Sequence, residues 1–175
     1  MAKVRIVSDS TCGLSPELKE KYDINVIPLC IVMDDKSYFD MVDVTPLEIF
    51  DWADANKTTP KTAAAGIEEA INFLKPFQEA GEDVIYIGIS EDMSTTCNVL
   101  RLAASELEYD RVFIINSMNL STGIGLQVLR AADMAAEGKS AEDIVEAISE
   151  ARTLVRASFV VDNLTYLARG GRCTA

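Results

Sequence analysis

Histidine is missing from all 175 residues. That absence excludes a Ser-His-Asp or Cys-His triad and any histidine-ligated metal within the chain. Cysteine is scarce and scattered, and Cys12, Cys30, Cys97 and Cys173 form no CxxC pair. Such spacing suits neither a compact zinc site nor a small disulfide framework, so reduced, mostly buried thiols are expected. Positive charge is also in short supply: 16 Lys and Arg stand against 28 Asp and Glu, a net charge of −12. Binding nucleic acid requires clustered cations on phosphates, so no nucleic-acid partner is expected. No apolar run reaches membrane-spanning length, and MAKVRIVSDS at the start lacks a secretory core. The sequence predicts no stable membrane insertion and a cytoplasmic protein.

What is present is a core. Half the residues are hydrophobic (49%) and 25% are charged, as in a globular domain. Residues 1–175 read as one domain without linker, repeat or low-complexity segment. Residues 84–89, VIYIGI, form a β-branched apolar run of the kind buried on both faces of a parallel sheet. The polar stretch SEDMSTT follows, and then Val99, Leu102, Ala103 and Leu107 recur at helical spacing. Ser94 or Thr95 is the natural N-cap there. Hydroxyls at a helix start beyond a strand's carboxyl end suit a carboxylate or phosphate. A capped helix with no ligand explains the same residues.

Two further loops repeat this arrangement. Residues 3–7, KVRIV, lead into Ser8-Asp9-Ser10-Thr11-Cys12-Gly13, where Asp9 is expected to cap backbone amides. Residues 111–116, RVFIIN, lead into SMNLSTGIG and a helix with Leu126, Leu129 and Ala132 facing inward. Gly123 and Gly125 permit close backbone approach there, but GIG is no dinucleotide fingerprint.

Between these lie NVIPLCIVM, predicted as one edge or bulged strand because of Pro28, and a hairpin returning through Ser37-Tyr38-Phe39. Thr45-Pro46-Leu47-Glu48 is a capping box opening a helix that turns Ile49, Phe50 and Trp52 inward. TTPKTAAAG reads as a loop, and the next helix buries Ile67, Ala70, Ile71 and Leu74 until Pro76 kinks or ends it. A helix from Ser140 to about Arg156, a last strand at 157–161 and a short helix stopped by Gly170-Gly171 complete the chain. The fold class is therefore α/β: three layers, α/β/α, around a mainly parallel sheet with a small hairpin.

The segments RIVSDSTCGLS, INVIPLCIVMDDKSYFD, VDVTPLEIF, PKTAAAG, IGISEDMSTTCNV, INSMNLSTGIGLQVL and VVDNLTYLARGGR together resemble the N-terminal domain of the two-domain DegV family. These are bacterial fatty-acid-binding proteins, some of which are the acyl-carrying partner of a fatty acid kinase. The resemblance implies a non-catalytic lipid-binding protein without cofactors, its long-chain fatty acid lying between this domain and a second one. By that likeness Thr62 and Ser94 hold the carboxylate, with Ala63, Ala64 and Thr95 beside them. Ser121, Thr122 and Gly123 border the acyl tail, and Arg172 belongs to a surface that docks the kinase. The chain departs from the family where alanine replaces a frequent serine in PKTAAAG and where Thr95 replaces a glycine, stiffening the loop. The second domain, with the family's head-group histidine, lies outside the sequence. The chain is thus expected to be a fragment, with self-association hiding its exposed face. The rival is an α/β hydrolase or phosphoryl-transfer enzyme using Ser94 or Asp9, with Lys61 as its one candidate base.

Overall fold

A computed structural model describes residues 2–171 and 173–174. In chain order its elements begin with β1 (Val4–Asp9), α1 (Pro16–Lys21), β2 (Asn25–Ile27), β3 (Cys30–Met33) and β4 (Lys36–Phe39). Next come α2 (Pro46–Asn56), β5 (Lys61–Ala63), α3 (Ile67–Glu79), β6 (Asp83–Gly88) and α4 (Thr96–Glu106). The series closes with β7 (Val112–Asn116), α5 (Thr122–Ala136), α6 (Ala141–Ala151) and α7 (Thr165–Arg169). The chain divides into two units, Met1–Ile27 with Ala64–Ala157 and Pro28–Ala63 with Ser158–Ala175.

The first unit is built on a parallel sheet of order β2-β1-β6-β7. Side chains alternate across a strand, so β6 feeds two cores at once. Ile85 and Ile87 pack with Ile6, Ile115 and the α5 and α6 residues Ile124, Val128, Ile144 and Ile148. Val84 and Tyr86 pack with Val7 and with Ala70, Leu74, Cys97 and Leu100 of α3 and α4. Every side chain from Val84 to Ile87 is fully buried, as the uninterrupted apolar run predicts. Helices thus cover both faces, the three-layer α/β/α arrangement.

The second unit holds an antiparallel sheet of order β4-β3-β5. Asp34 and Asp35 take left-handed conformations in the β3–β4 turn (φ 50° and 59°), and the Trp52 indole donates to Asp34 at 2.8 Å. Ile31, Met33 and Val44 form its small core, with Tyr38, Ile49 and Trp52 against them. The capping box of α2 is complete: the Glu48 amide donates to the Thr45 hydroxyl and Glu48 accepts from the Thr45 amide.

Several expectations give way. The strand at 25–33 is two strands in two different sheets, because Pro28 has no amide for the ladder and the chain leaves the parallel sheet there. The expected loop around Thr62 contains β5, whose pairing with β3 overrides its polar sequence. Helix α3 continues through Pro76 to Glu79, because a proline in the last turn removes only one amide bond. Helix α6 ends at Ala151, short of Arg156. Residues 157–161 pair with no strand among the described residues, leaving Phe159 and Val160 at 73% and 98% exposure. Phe50, Ile67, Leu102 and Leu126 are also exposed. In α4 and α5 the buried stripe is rotated onto Cys97, Leu100 and Ala103, and onto Ile124, Val128 and Ala131.

Candidate functional site

In the first unit three loops leave the carboxyl ends of β1, β6 and β7. Asp9 closes β1 and is fully buried, yet each of its oxygens is occupied. Oδ1 accepts from the Thr11 amide at 3.0 Å and the Thr11 hydroxyl at 2.5 Å. Oδ2 accepts from the Tyr86 hydroxyl at 2.5 Å and the Ile89 amide at 2.9 Å. A buried carboxylate is tolerable only with such a donor shell. Burial, and then the facing Asp9 carboxylate, raise the Tyr86 phenol well above its ordinary pKa. The amide-capping role expected of Asp9 is therefore what the structure contains. The Tyr86 hydroxyl is an addition that its place in an apolar run conceals.

The β6 loop is wound on Ser90, whose carbonyl accepts from the amides of Met93 and Ser94. Ser94, half-buried, accepts from the Thr96 amide at 3.3 Å, and its hydroxyl lies 2.8 Å from that of Thr96. Thr95 occupies the formal cap position of α4 but makes no side-chain cap bond and is exposed, so the capping hydroxyl is that of Ser94. Below it the Cys97 thiol faces the Ile89 carbonyl at 3.8 Å, and burial, then the charge of Glu91, push its pKa up to about 12. It is an inert thiol.

The β7 loop is stitched to its neighbours. The Ser90 amide donates to the Asn119 carbonyl at 2.9 Å, and the Asn116 side chain accepts from Glu91 and Met118 amides. Buried Gln127 donates from Nε2 to the carbonyls of Ser117 and Gly123, each at 3.0 Å, fixing the loop to α5. Nothing in the sequence marks this glutamine except a polar residue on an otherwise apolar helix face. Ser121 stands at the start of α5 with φ 50° and no side-chain cap bond, an unfavourable conformation for a serine. Thr122 is exposed and Gly123 buried. A Cβ on Gly125 would come within 2.8 Å of the Cys12 carbonyl, so glycine is what lets α5 meet the β1 loop.

The structure thus gathers Ser94, Thr95, Ser121, Thr122 and Gly123 onto adjoining loops at one end of the parallel sheet. Half-buried Ala64 begins the segment that leads into α3 in the same unit. Thr62 and Ala63 lie on β5 of the second unit, both exposed. Arg172 lies outside the described residues. At the opposite, amino end of the parallel strands is a cavity of about 670 Å³. Two of its lining cations are already paired, Arg5 with Glu82 and Asp23, and Arg111 with Asp83. Among the described residues no helix is long and apolar enough to cross a membrane.

Comparison with known proteins is consistent across sequence and structure. The family model described as an uncharacterised protein of the DegV family matches residues 3–175. A DegV domain-containing protein of Clostridium perfringens is 38% identical over 172 residues. That alignment takes in 98% of this chain and 62% of the relative, so the chain spans less than two thirds of its length. The crystal structure of DegV, a fatty acid binding protein from Bacillus subtilis, superposes with a TM-score of 0.87 at 28% identity, covering 98% of this chain and 61% of that one. A DegV family protein from Thermus thermophilus, described by its fatty acid binding, gives 0.84 at 30% identity over 97% of this chain and 60% of that one.

Proposed function

The chain belongs to the DegV family, and from that premise we propose that it holds a long-chain fatty acid by its carboxylate and acyl tail. The observation that carries this reading is the match along residues 3–175 to a family with fatty-acid-binding members at 28–30% identity. In it, Thr62 and Ser94 donate hydrogen bonds to the carboxylate, with Ala63, Ala64 and Thr95 beside them. Ser121, Thr122 and Gly123 border the tail. The amides opening α4 add favourable potential for an anion in an acidic chain. The rest of the pocket belongs to a second domain, within the length of the relatives that this chain does not cover.

The role is carriage and not chemistry. The alternative hydrolase or phosphoryl-transfer reading needs a free Asp9 or an activated Ser94. Asp9 is enclosed by four donors, and the Ser94 hydroxyl is engaged with Thr96. The carried acid is presented to a fatty acid kinase in the bacterial cytoplasm, with Arg172 on the docking surface.

Ser94→Ala and Thr62→Val test the clamp. Losing one hydrogen bond to a charged group costs about 1.5–3 kcal/mol, roughly ten- to a hundredfold in affinity. Each variant should lose oleate binding by that order in a fluorescence titration and keep its binding of methyl oleate. Unchanged affinity for the acid in both variants, at unchanged melting temperature, would reduce these residues to helix caps.

A further inference from the structure

We infer that Asn116 is a positioning residue of the candidate site. Its side-chain oxygen sets the turn at 90–94, and so fixes where the Ser94 hydroxyl meets an incoming carboxylate. Asn116 closes β7 and lies beside Gly88, which closes β6 in the neighbouring strand. The β6 and β7 loops therefore leave the sheet side by side. At that point the Ser117 amide donates to the Gly88 carbonyl at 3.2 Å.

One oxygen serves both loops. Asn116 Oδ1 accepts from the Met118 amide at 2.9 Å in its own loop and from the Glu91 amide at 3.3 Å in the other. The first bond closes a tight turn through Met118, which takes a left-handed φ of 55°. That turn brings round the Asn119 carbonyl, which accepts from the Ser90 amide at 2.9 Å. Ser90 and Glu91 are thus both hung from the β7 loop. The Ser90 carbonyl then accepts from the amides of Met93 at 2.9 Å and Ser94 at 3.0 Å, which places Ser94 at the start of α4. Asn116 is held from behind as well. Arg152 Nη1 donates to its carbonyl at 2.8 Å, and Asn119 Nδ2 donates to the Val155 carbonyl at 3.4 Å. Only the side-chain oxygen serves the two loop amides, so an aspartate supplies the same acceptor and an alanine supplies none. A serine hydroxyl reaches the amide two residues on, within its own loop, and is too short to bridge to the other.

The inference rests on the fatty-acid reading for what Ser94 meets. Its test pairs nuclear magnetic resonance of the free chain, following the Glu91, Met93, Ser94 and Met118 amides, with titration by oleate and methyl oleate. N116A should move all four amide signals and weaken oleate binding about three- to tenfold, leaving methyl oleate unaffected. N116D should restore both the signals and the affinity, with Arg152 at the same residue's carbonyl offsetting the added charge. N116S should restore the Met118 signal alone and bind oleate as weakly as N116A. Should N116A fail to fold, N116S and N116D make the same comparison. Amides at 91–94 that stay in place in N116A and N116S overturn the inference, whatever oleate does. A turn restored in N116D without its oleate affinity also overturns it, because Asn116 would then meet the ligand itself. If the wild type binds no oleate, the fatty-acid reading falls. The amide signals then decide alone: displacement in N116A with restoration in N116D upholds Asn116 as the residue that sets the turn.

Discussion

At the scale of single residues, Asp9 and Tyr86 show how a polar group is kept inside an apolar sheet. Their side chains meet across 77 positions of sequence in a buried contact. Tyr86→Phe removes one donor from the buried Asp9 side chain and leaves the ring in place. Unfolding in urea should report a loss of about 1–3 kcal/mol with unchanged m-value, the cost of leaving a buried acceptor one donor short. Asp9 was legible as an amide cap, because an aspartate followed by serine and threonine after a strand has that local chemistry. Tyr86 was not, since its partner is distant in sequence and its hydroxyl is hidden within VIYIGI. The cap of α4 was legible as a choice between Ser94 and Thr95, and the structure selects Ser94. A cap position can be recognised from sequence, but which of two adjacent hydroxyls turns toward the helix amide depends on the loop's own winding around Ser90.

At the scale of elements, β6 is where sequence and packing agree most closely, and Gly88 shows how little tolerance it has. A Cβ built on Gly88 would lie 1.9 Å from the Tyr86 hydroxyl oxygen and 2.1 and 2.4 Å from carbons of its ring. Gly88→Ala must therefore displace a fully buried ring and its bond to Asp9. A cost of about 3 kcal/mol or more is expected, above the usual range for one added methyl. Because ring carbons clash as well as the oxygen, Tyr86→Phe should not rescue it. A double variant as stable as Tyr86→Phe alone would contradict this packing. Continuous apolar strands and boxed helix starts were readable, since their signals are local. β5 was not, because Lys-Thr-Ala has no strand pattern and is held only by its ladder with β3. The apolar stretch 157–161 failed for the converse reason: a β-branched run is a strand only where a neighbour accepts its amides. The stripes of α4 and α5 were right at Ala103 and Ala132, which are buried, and wrong at Leu102 and Leu126, which are exposed, because a 3.6-residue period leaves adjacent apolar residues competing for the same face.

At the scale of the molecule, buried acids that resist ionising set the alkaline limit of stability. The Cys97 thiol is raised to about 12 and Tyr86 is raised also, both chiefly by burial. In the unfolded chain a thiol ionises near pH 8.5 and a phenol near 10. Above those values the unfolded state releases protons that the folded state still holds, so unfolding is favoured as pH rises. Stability should be level from about pH 7 to 8.5 and then fall, by at most about 1.4 kcal/mol per pH unit for each such group. Cys97→Ala should flatten the part of this slope between about pH 9 and 12, measured as the urea midpoint against pH. A slope identical to wild type would mean that Cys97 ionises freely in the native protein.

The order β2-β1-β6-β7 has a consequence in time. The central pair, β1 and β6, is joined by residues 77 positions apart, and the entire β3-β4-β5 sheet is encoded between them. At a synthesis rate of roughly 5–20 residues per second, β1 waits about 4–15 s on the ribosome before its partner is made. Through that interval Asp9 lacks the donors of β6, and Val7 lacks the apolar face that later covers it. Parallel pairing over such a separation is also slow once both strands exist. Nascent chains halted after α3 should therefore be held by a ribosome-associated chaperone, and chains halted after β7 should be released from it.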